Sequence, residues 1–321
     1  MESLSIELVV TDIQAEAKDI ILLELQHPQR QSLPAFTAGS HIEVYLVNGL
    51  IRHYSLLNSP TETHRYVIAV ALAPQGRGGS QSIHHDLSVG DLVHVSHPRN
   101  HFRLHDADQY CFIAGGIGIT PILSMIQHCI TYQKKWRLFY TVRHKQRAAF
   151  YEQLQQWQNA NIHFHFNDEH HGQHLEITNI VDSLSATEQI YCCGPTALMQ
   201  SVQDASAHLS SHRVHFEWFN PVVSLTTDHD IQQESFTVQL KNSGQNIQVL
   251  ADQSILEALE QHGFELPFSC RAGICRTCET TVCSGIPEHR DMILTEEEKA
   301  ANTSMLICVS RAKSAVIELN L

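Results

Sequence analysis

Ser269-Cys-Arg-Ala-Gly-Ile-Cys-Arg-Thr-Cys278 sets Cys270, Cys275 and Cys278 at C-x4-C-x2-C spacing, and a fourth cysteine, Cys308, follows in the stretch MLICVSR. This is the spacing of plant-type 2Fe–2S loops. Two irons need four soft thiolates, two apiece, so a loop wraps one side while a distant segment closes the other. Ala272 and Gly273 are small, which lets backbone N–H groups approach the sulfurs and favours the reduced, more negative state. A zinc site is the alternative, because C-x2-C is also half of a zinc ligand set. Such sites usually combine two of these pairs, and here the far side offers only Cys308. Cys283 falls outside the pattern and reads as a free thiol.

Working outward, the chain of 321 residues has room for two or three domains. A signal-peptide pattern is absent from the acidic start MESLSIELVVTDIQAEAKD, and no long apolar run suggests a membrane span. A cytoplasmic location is therefore expected, where nine cysteines serve metal binding better than disulfides. A net charge of −13 without a basic stripe excludes nucleic acid as a partner and suits a partner with a basic docking patch. The 23 histidines are scattered; the densest run, His163 to His174, reads as a strand entering a polar loop, with a metal site as the alternative.

Three styles of sequence succeed one another. Residues 1–104 alternate apolar and polar positions in short segments broken by Pro, Gly and Asn, which predicts an antiparallel β-barrel with one helix in SQSIHHDL. Residues 105–222 alternate strands such as YCFIAGG and WRLFYTVR with helices of ten to fifteen residues (TPILSMIQHCITYQ, AAFYEQLQQWQN, TALMQSVQDASAHL), which predicts a parallel α/β sheet. Residues 223–234 are polar and aperiodic, as a linker would be. Residues 235–321 read as a hairpin, a helix, the cysteine loop and a closing strand AVIELNL.

Four short motifs lie upstream of the cysteine loop. Arg52-His53-Tyr54-Ser55 ends a predicted barrel strand: a tyrosine ring can stack on an isoalloxazine, a serine hydroxyl can reach its N5 edge, and an arginine can pair with a phosphate. An ordinary barrel strand is the alternative. Arg77-Gly78-Gly79-Ser80 opens the SQSIHHDL helix, where free N–H groups favour an anion and Ser80 can cap or donate. Gly116, Gly118 and Thr120 in GGIGITP follow a buried strand but lack G-x-G-x-x-G spacing, and Cys193-Gly194-Pro195 ends another parallel strand facing the same crevice.

Taken in order, RHYS, GRGGS, GGIGITP, CCGP and the cysteine loop resemble the phthalate dioxygenase reductase family, which includes the vanillate demethylase reductases, within the ferredoxin–NADP reductase superfamily. The resemblance spans essentially the whole chain. It implies an FMN-binding β-barrel, an NAD-binding α/β domain and a C-terminal β-grasp ferredoxin domain. It assigns Arg52, His53, Tyr54, Ser55, Arg77, Gly78, Gly79 and Ser80 to the flavin, with Phe219 packing near it. Gly116, Gly118, Thr120, Cys193 and Gly194 would line the nicotinamide and pyrophosphate path. Ser55 and Cys193 would position the reacting rings, and Cys270, Cys275, Cys278 and Cys308 would hold the cluster. The implied activity carries hydride from NADH to FMN, then single electrons through the cluster to a terminal Rieske non-haem iron oxygenase acting on an aromatic acid. A reductase for a cytochrome P450 or a diiron hydroxylase is the other reading. His144, Lys145 and Arg147 could meet the 2′-phosphate of NADPH, or form a solvated turn.

Overall fold

The computed structural model describes residues 5–157, 161–219 and 234–321, and the fold divides into two compact units, Met1–Phe219 and Asn220–Leu321. The predicted linker lies almost wholly outside the described residues.

The first unit opens with strands β1 (Ser5–Ala17), β2 (Ile20–Gln26), β3 (His41–Tyr45), β4 (Ile51–Ser55), β5 (Tyr66–Ala71) and β6 (Leu92–Ser96), with helix α1 (Gly79–Asp86) before the last. They form one antiparallel sheet in the order β4-β3-β6-β1-β2-β5. The Leu57 N–H donates to the Val67 carbonyl at 3.0 Å, bringing the chain just past one edge strand onto the other, as in a barrel. Strand β1 runs further than its alternation suggests, because bulges at Val10/Asp12 and Ala15/Ala17 bend it without ending it. The two-residue side-chain period divides β5 between two cores. Tyr66, Ile68 and Val70 face the barrel interior with Leu8, Leu23 and Ile42, whereas Val67 and Ala69 join the core of the following sheet with Phe112, Ile122 and Leu138.

That sheet contains β7 (Gln109–Gly115), β8 (Lys135–Val142), β9 (Asn161–Phe166), β10 (Gln189–Cys193) and β11 (Val214–Glu217), all parallel, in the order β11-β10-β7-β8-β9. Helices α2 (Ile119–Thr131), α3 (Tyr151–Gln156), α4 (Ile177–Asp182) and α5 (Thr196–Ala205) connect the strands. The order reverses at β7, flanked by β8 and β10, so the ligand crevice opens at the carboxyl ends of these strands. Two helices differ from expectation. Within the described residues α3 begins at Tyr151, because Phe150 sits in the left-handed region at φ 62° and stops the helix from starting earlier. Helix α4 stands where the sequence pattern predicts no element.

The second unit builds β12 (Phe236–Leu240), β13 (Asn246–Val249), β14 (Glu279–Ser284), β16 (Ser304–Leu306) and β18 (Val316–Leu319) into a mixed sheet ordered β13-β12-β18-β14-β16. Strands β12 and β18 are parallel, as in a β-grasp fold. Helix α6 (Ile255–Gln261) packs Ile255, Leu256, Ala258 and Leu259 onto the core and starts with a capping box between Ser254 and Glu257. A second capping box, Thr295 with Glu298, starts α7 (Glu296–Ala301), and β15 (Pro287–Glu288) pairs antiparallel with β17 (Arg311–Ala312).

Candidate functional site

Alternation along β4 puts Arg52 and Tyr54 on one face of the strand and His53 and Ser55 on the other. The phenol of Tyr54 packs beside the barrel core, and burial pushes its proton affinity up to about 12, so the ring is a neutral apolar plate. Arg52 reaches α1: its Nη2 donates to the Arg77 carbonyl at 3.1 Å and its Nη1 to Ile51 O at 2.8 Å. A Cβ on Gly79 would lie 2.3 Å from Arg52 Nε, so a larger residue here would push the Arg52 side chain aside. Gly78 turns at φ 82°, a conformation that suits glycine. Burial, followed by the nearby Arg77 guanidinium, lowers the proton affinity of Arg52. Two cations beside the free N–H groups of a helix start form a cradle for a dianion. Ser80 does not cap α1: its Oγ accepts from the Ala73 N–H at 3.0 Å, closing the loop instead.

His53 touches a second buried group on the opposite face. Its ring lies 5.2 Å from that of His41 and its Nε2 3.8 Å from Glu43, and burial, outweighing the Glu43 charge, lowers its pKa to about 4. Ser55 is 4 % exposed and faces β11, where its Oγ lies 3.4 Å from Glu217 Oε2. Burial raises the Glu217 carboxyl to about 8, the serine hydroxyl lowering it only in part. No motif announced Glu217, although it stands in the same FEWF stretch as Phe219. Phe219 packs against the core shared by the barrel and the parallel sheet.

The crevice of the parallel sheet is a cleft of about 1360 Å³ lined by Gly115, Gly116, Thr141, Arg143, His144, Asp168, Pro195 and Leu198, among others. Gly116, at φ 54° with open space around it, lies on its surface. Gly118, Thr120 and Cys193 lie beneath it, fully or almost fully buried. A Cβ on Gly118 would fall 2.2 Å from the Cys193 carbonyl oxygen, and one on Gly194 would fall 2.9 Å from Gly115 Cα. These two glycines therefore hold the β7 and β10 ends together. The Thr120 hydroxyl is spent on Ile117 O at 3.0 Å, and burial holds the Cys193 thiol well above its usual range. The basic residues at the far end are largely compensated: His144 Nδ1 meets Asp168 at 3.1 Å, Arg147 meets Asp19 at 3.7 Å, and Lys145 Nζ stands 4.6 Å over the Tyr151 ring.

In the second unit Cys270, Cys275, Cys278 and Cys308 are all buried, between 2 % and 8 % exposed. Their thiols form a chain of contacts, Cys275 to Cys270 to Cys308 to Cys278. Backbone N–H groups of Ala272 and Ile274 point to the Cys270 sulfur, the former at 3.3 Å, and that of Gly273 points to Cys308. Gly273 turns at φ 69° with Val309, Asp291 and their backbone close on its Cβ side. Four thiols in one buried pocket, with N–H donors aimed at them, suit a 2Fe–2S cluster. Cys283 stays half-buried and forms no disulfide.

A flavin barrel, a nicotinamide crevice and a thiolate pocket on one polypeptide define a pyridine-nucleotide-dependent flavin iron–sulfur oxidoreductase. Family models match in the same order: an oxidoreductase FAD-binding domain over 7–104, an oxidoreductase NAD-binding domain over 112–204 and a 2Fe-2S iron-sulfur cluster binding domain over 238–313. Phthalate dioxygenase reductase of Burkholderia cepacia is 40% identical over 95% of this chain and 94% of its own. The vanillate O-demethylase oxidoreductase of Acinetobacter baylyi is 40% identical over 99% of each. A crystal structure of phthalate dioxygenase reductase superposes at TM-score 0.73 with 39% identity, over 99% of this chain and 98% of that one. An intact type IV self-sufficient cytochrome P450 monooxygenase superposes at TM-score 0.88 with 33% identity; this chain spans 99% of its own length but 41% of that protein's. The chain belongs to the phthalate dioxygenase reductase family. Among the described residues no helix is long and apolar enough to cross a membrane.

Proposed function

We propose that this reductase takes electrons from NADH and passes them, through FMN and the cluster, to a terminal Rieske-type oxygenase that acts on an aromatic acid. What supports the flavin assignment is Arg52 bonded to the Arg77 backbone at the start of α1 and close enough to feel the Arg77 charge, a local excess of positive charge that suits the dianionic phosphate monoester of FMN. Bound flavin supplies the change from two-electron to one-electron transfer, and the cluster a one-electron exit. The chain's own residues orient and exclude. Tyr54 presents an apolar ring, Ser55 and Glu217 place a hydroxyl and a neutral carboxyl at the barrel–sheet boundary, and Gly118 and Gly194 let the Cys193 turn close over the β7 end. The four cysteines would ligate the two irons. We take the domains as 1–104, 105–222 and 235–321, joined by a linker over 223–234, in the cytoplasm, whose reducing conditions suit nine unpaired cysteines.

NADH is favoured over NADPH because His144, Lys145 and Arg147 already have partners, so these three residues offer little free charge to a 2′-phosphate. The aromatic-acid oxygenase is favoured over a P450 by the higher identity to reductases named for dioxygenase and demethylase systems. Turnover of NADH coupled to purified oxygenase components tests both. A chain that reduces a P450 or a diiron hydroxylase faster than any Rieske component would overturn the partner, and a larger kcat/KM for NADPH would overturn the coenzyme.

A further inference from the structure

The cysteine loop holds two arginines in a backbone conformation that suits glycine. Arg271 follows Cys270 at φ 51°, and Arg276 follows Cys275 at φ 58°. A glycine would take either turn without a Cβ penalty, so each side chain is kept against backbone strain. Arg271 spends its charge close by, stacking at 3.9 Å over the Phe268 ring and pairing with Glu260 of α6. Arg276 gathers more of the fold around it. Its Nη1 donates to Glu279 Oε2 on β14 at 3.4 Å, and its Nη2 to the Ile293 carbonyl at 3.3 Å and to the Glu298 carboxylate on α7. The backbone adds a further tie, the Glu279 N–H donating to Arg276 O at 2.9 Å.

Both carboxylates are themselves held. Glu298 Oε2 accepts the Thr295 N–H at 2.8 Å in the capping box of α7, and Glu279 Oε1 accepts from the Ser304 hydroxyl at 2.7 Å. Helix α7 buries none of its own residues, and Glu298 ties it to the cysteine loop. Just ahead of it, Leu294 packs in one core with Cys278 and Cys308, and the Met292 N–H donates to Gly273 O at 3.1 Å. Residues 292–298 therefore grip the loop at Gly273 and again at Arg276. An isolated ion pair with side chains 25% and 39% exposed, as Arg276 and Glu298 are, adds little to stability. A guanidinium shared by two carboxylates and a carbonyl, in the turn between two ligand cysteines, is placed to act on that turn instead.

We propose that Arg276 is a positioning residue for the cluster: clamped by Glu279 and Glu298, it fixes the turn that carries Cys275 and Cys278, and its charge favours the reduced, more negative state. The inference rests on the reading of the four cysteines as cluster ligands. Lysine replaces it only in charge, because one ammonium on a flexible stem lacks the planar fork that holds several acceptors at once.

The test compares the wild-type holoprotein with Arg276→Gln, Arg276→Lys and Glu298→Gln. Two quantities are read: the rate at which cluster absorbance is lost under excess chelator, and the midpoint potential of the reduced-cluster EPR signal. All three variants should lose the cluster about tenfold faster, the effect of one charge-assisted hydrogen bond. The potentials separate charge from loosening. Arg276→Gln lowers the potential, Arg276→Lys leaves it in place, and Glu298→Gln, whose amide oxygen can still cap α7, raises it. A loosened loop alone would move all three the same way. Arg276→Gly relieves the left-handed strain and so guards against a folding defect; it too should shed the cluster faster. Wild-type rates of cluster loss in Arg276→Gln and Arg276→Gly overturn the proposal while leaving the cluster reading intact. So do potentials of Arg276→Gln and Glu298→Gln that stay put or shift in the same direction. A wild type with no reduced-cluster signal overturns both.

Discussion

Replacing Glu217 by glutamine removes a titration whose size follows from the structure. The carboxyl moves from 4.5 to about 8 on folding, so between those values the folded chain keeps a proton that the unfolded chain has lost. Stability therefore falls as pH rises through this window, is unaffected below it and levels off above it. Each pKa unit is worth about 1.4 kcal/mol. From about pH 6 to about pH 8 the wild type loses about 2 kcal/mol through this group alone. Glutamine keeps the shape and has no proton to lose. All three tryptophans, Trp136, Trp157 and Trp218, lie in the parallel-sheet domain, and Trp218 adjoins the mutated residue, so urea unfolding followed by tryptophan fluorescence reads the relevant unit. The wild-type unfolding free energy should drop by about 2 kcal/mol more than that of Glu217→Gln over the interval. Equal pH slopes in the two proteins would refute the claim that Glu217 is neutral beside Ser55. The same substitution should leave NADH-driven flavin reduction nearly unchanged at pH 6 and protect it from the decline expected above pH 8 in the wild type, as followed by stopped-flow absorbance.

Gly79→Ala drives a Cβ into Arg52 and should weaken FMN binding to the apoprotein by about tenfold to a hundredfold, the loss of one charge-assisted hydrogen bond to phosphate, measured by flavin fluorescence. An unchanged dissociation constant would remove Arg52 from the phosphate site. Gly118→Ala meets backbone at 2.2 Å, so the turn itself must shift, and it should lower the melting temperature clearly further than Gly116→Ala, which has open space around it and costs only left-handed backbone strain of about 1–2 kcal/mol. Equal losses at the two glycines in calorimetry would contradict the packing role given to Gly118.

The features legible in the sequence were those with short-range physical causes. C-x4-C-x2-C must lie in one loop to reach two irons. The apolar runs of β5 and β7 show that each strand buries both of its faces. Helix α4 escaped because Ile177-Thr178-Asn179-Ile180-Val181-Asp182 is mostly β-branched or polar and has no side-chain cap, so only its packing of Ile177, Ile180 and Val181 makes it helical. Glu217 escaped for a different reason: its chemistry depends on Ser55, 162 residues away in sequence. Ser80 shows the reverse failure, since a serine in a helix's first turn reads as a cap while its hydroxyl serves Ala73. Gly118 and Thr120 sit in a motif that reads as ligand-contacting, yet the turn itself consumes their surface and hydroxyl.

The relay from nucleotide to cluster is tested most directly by anaerobic addition of NADH to the purified holoprotein, with absorbance and EPR recorded together. The account predicts that the yellow-brown colour bleaches and the reduced-cluster signal appears. In Cys308→Ser the flavin still bleaches and the signal is lost. Flavin and cluster that both stay oxidised under excess NADH would contradict it.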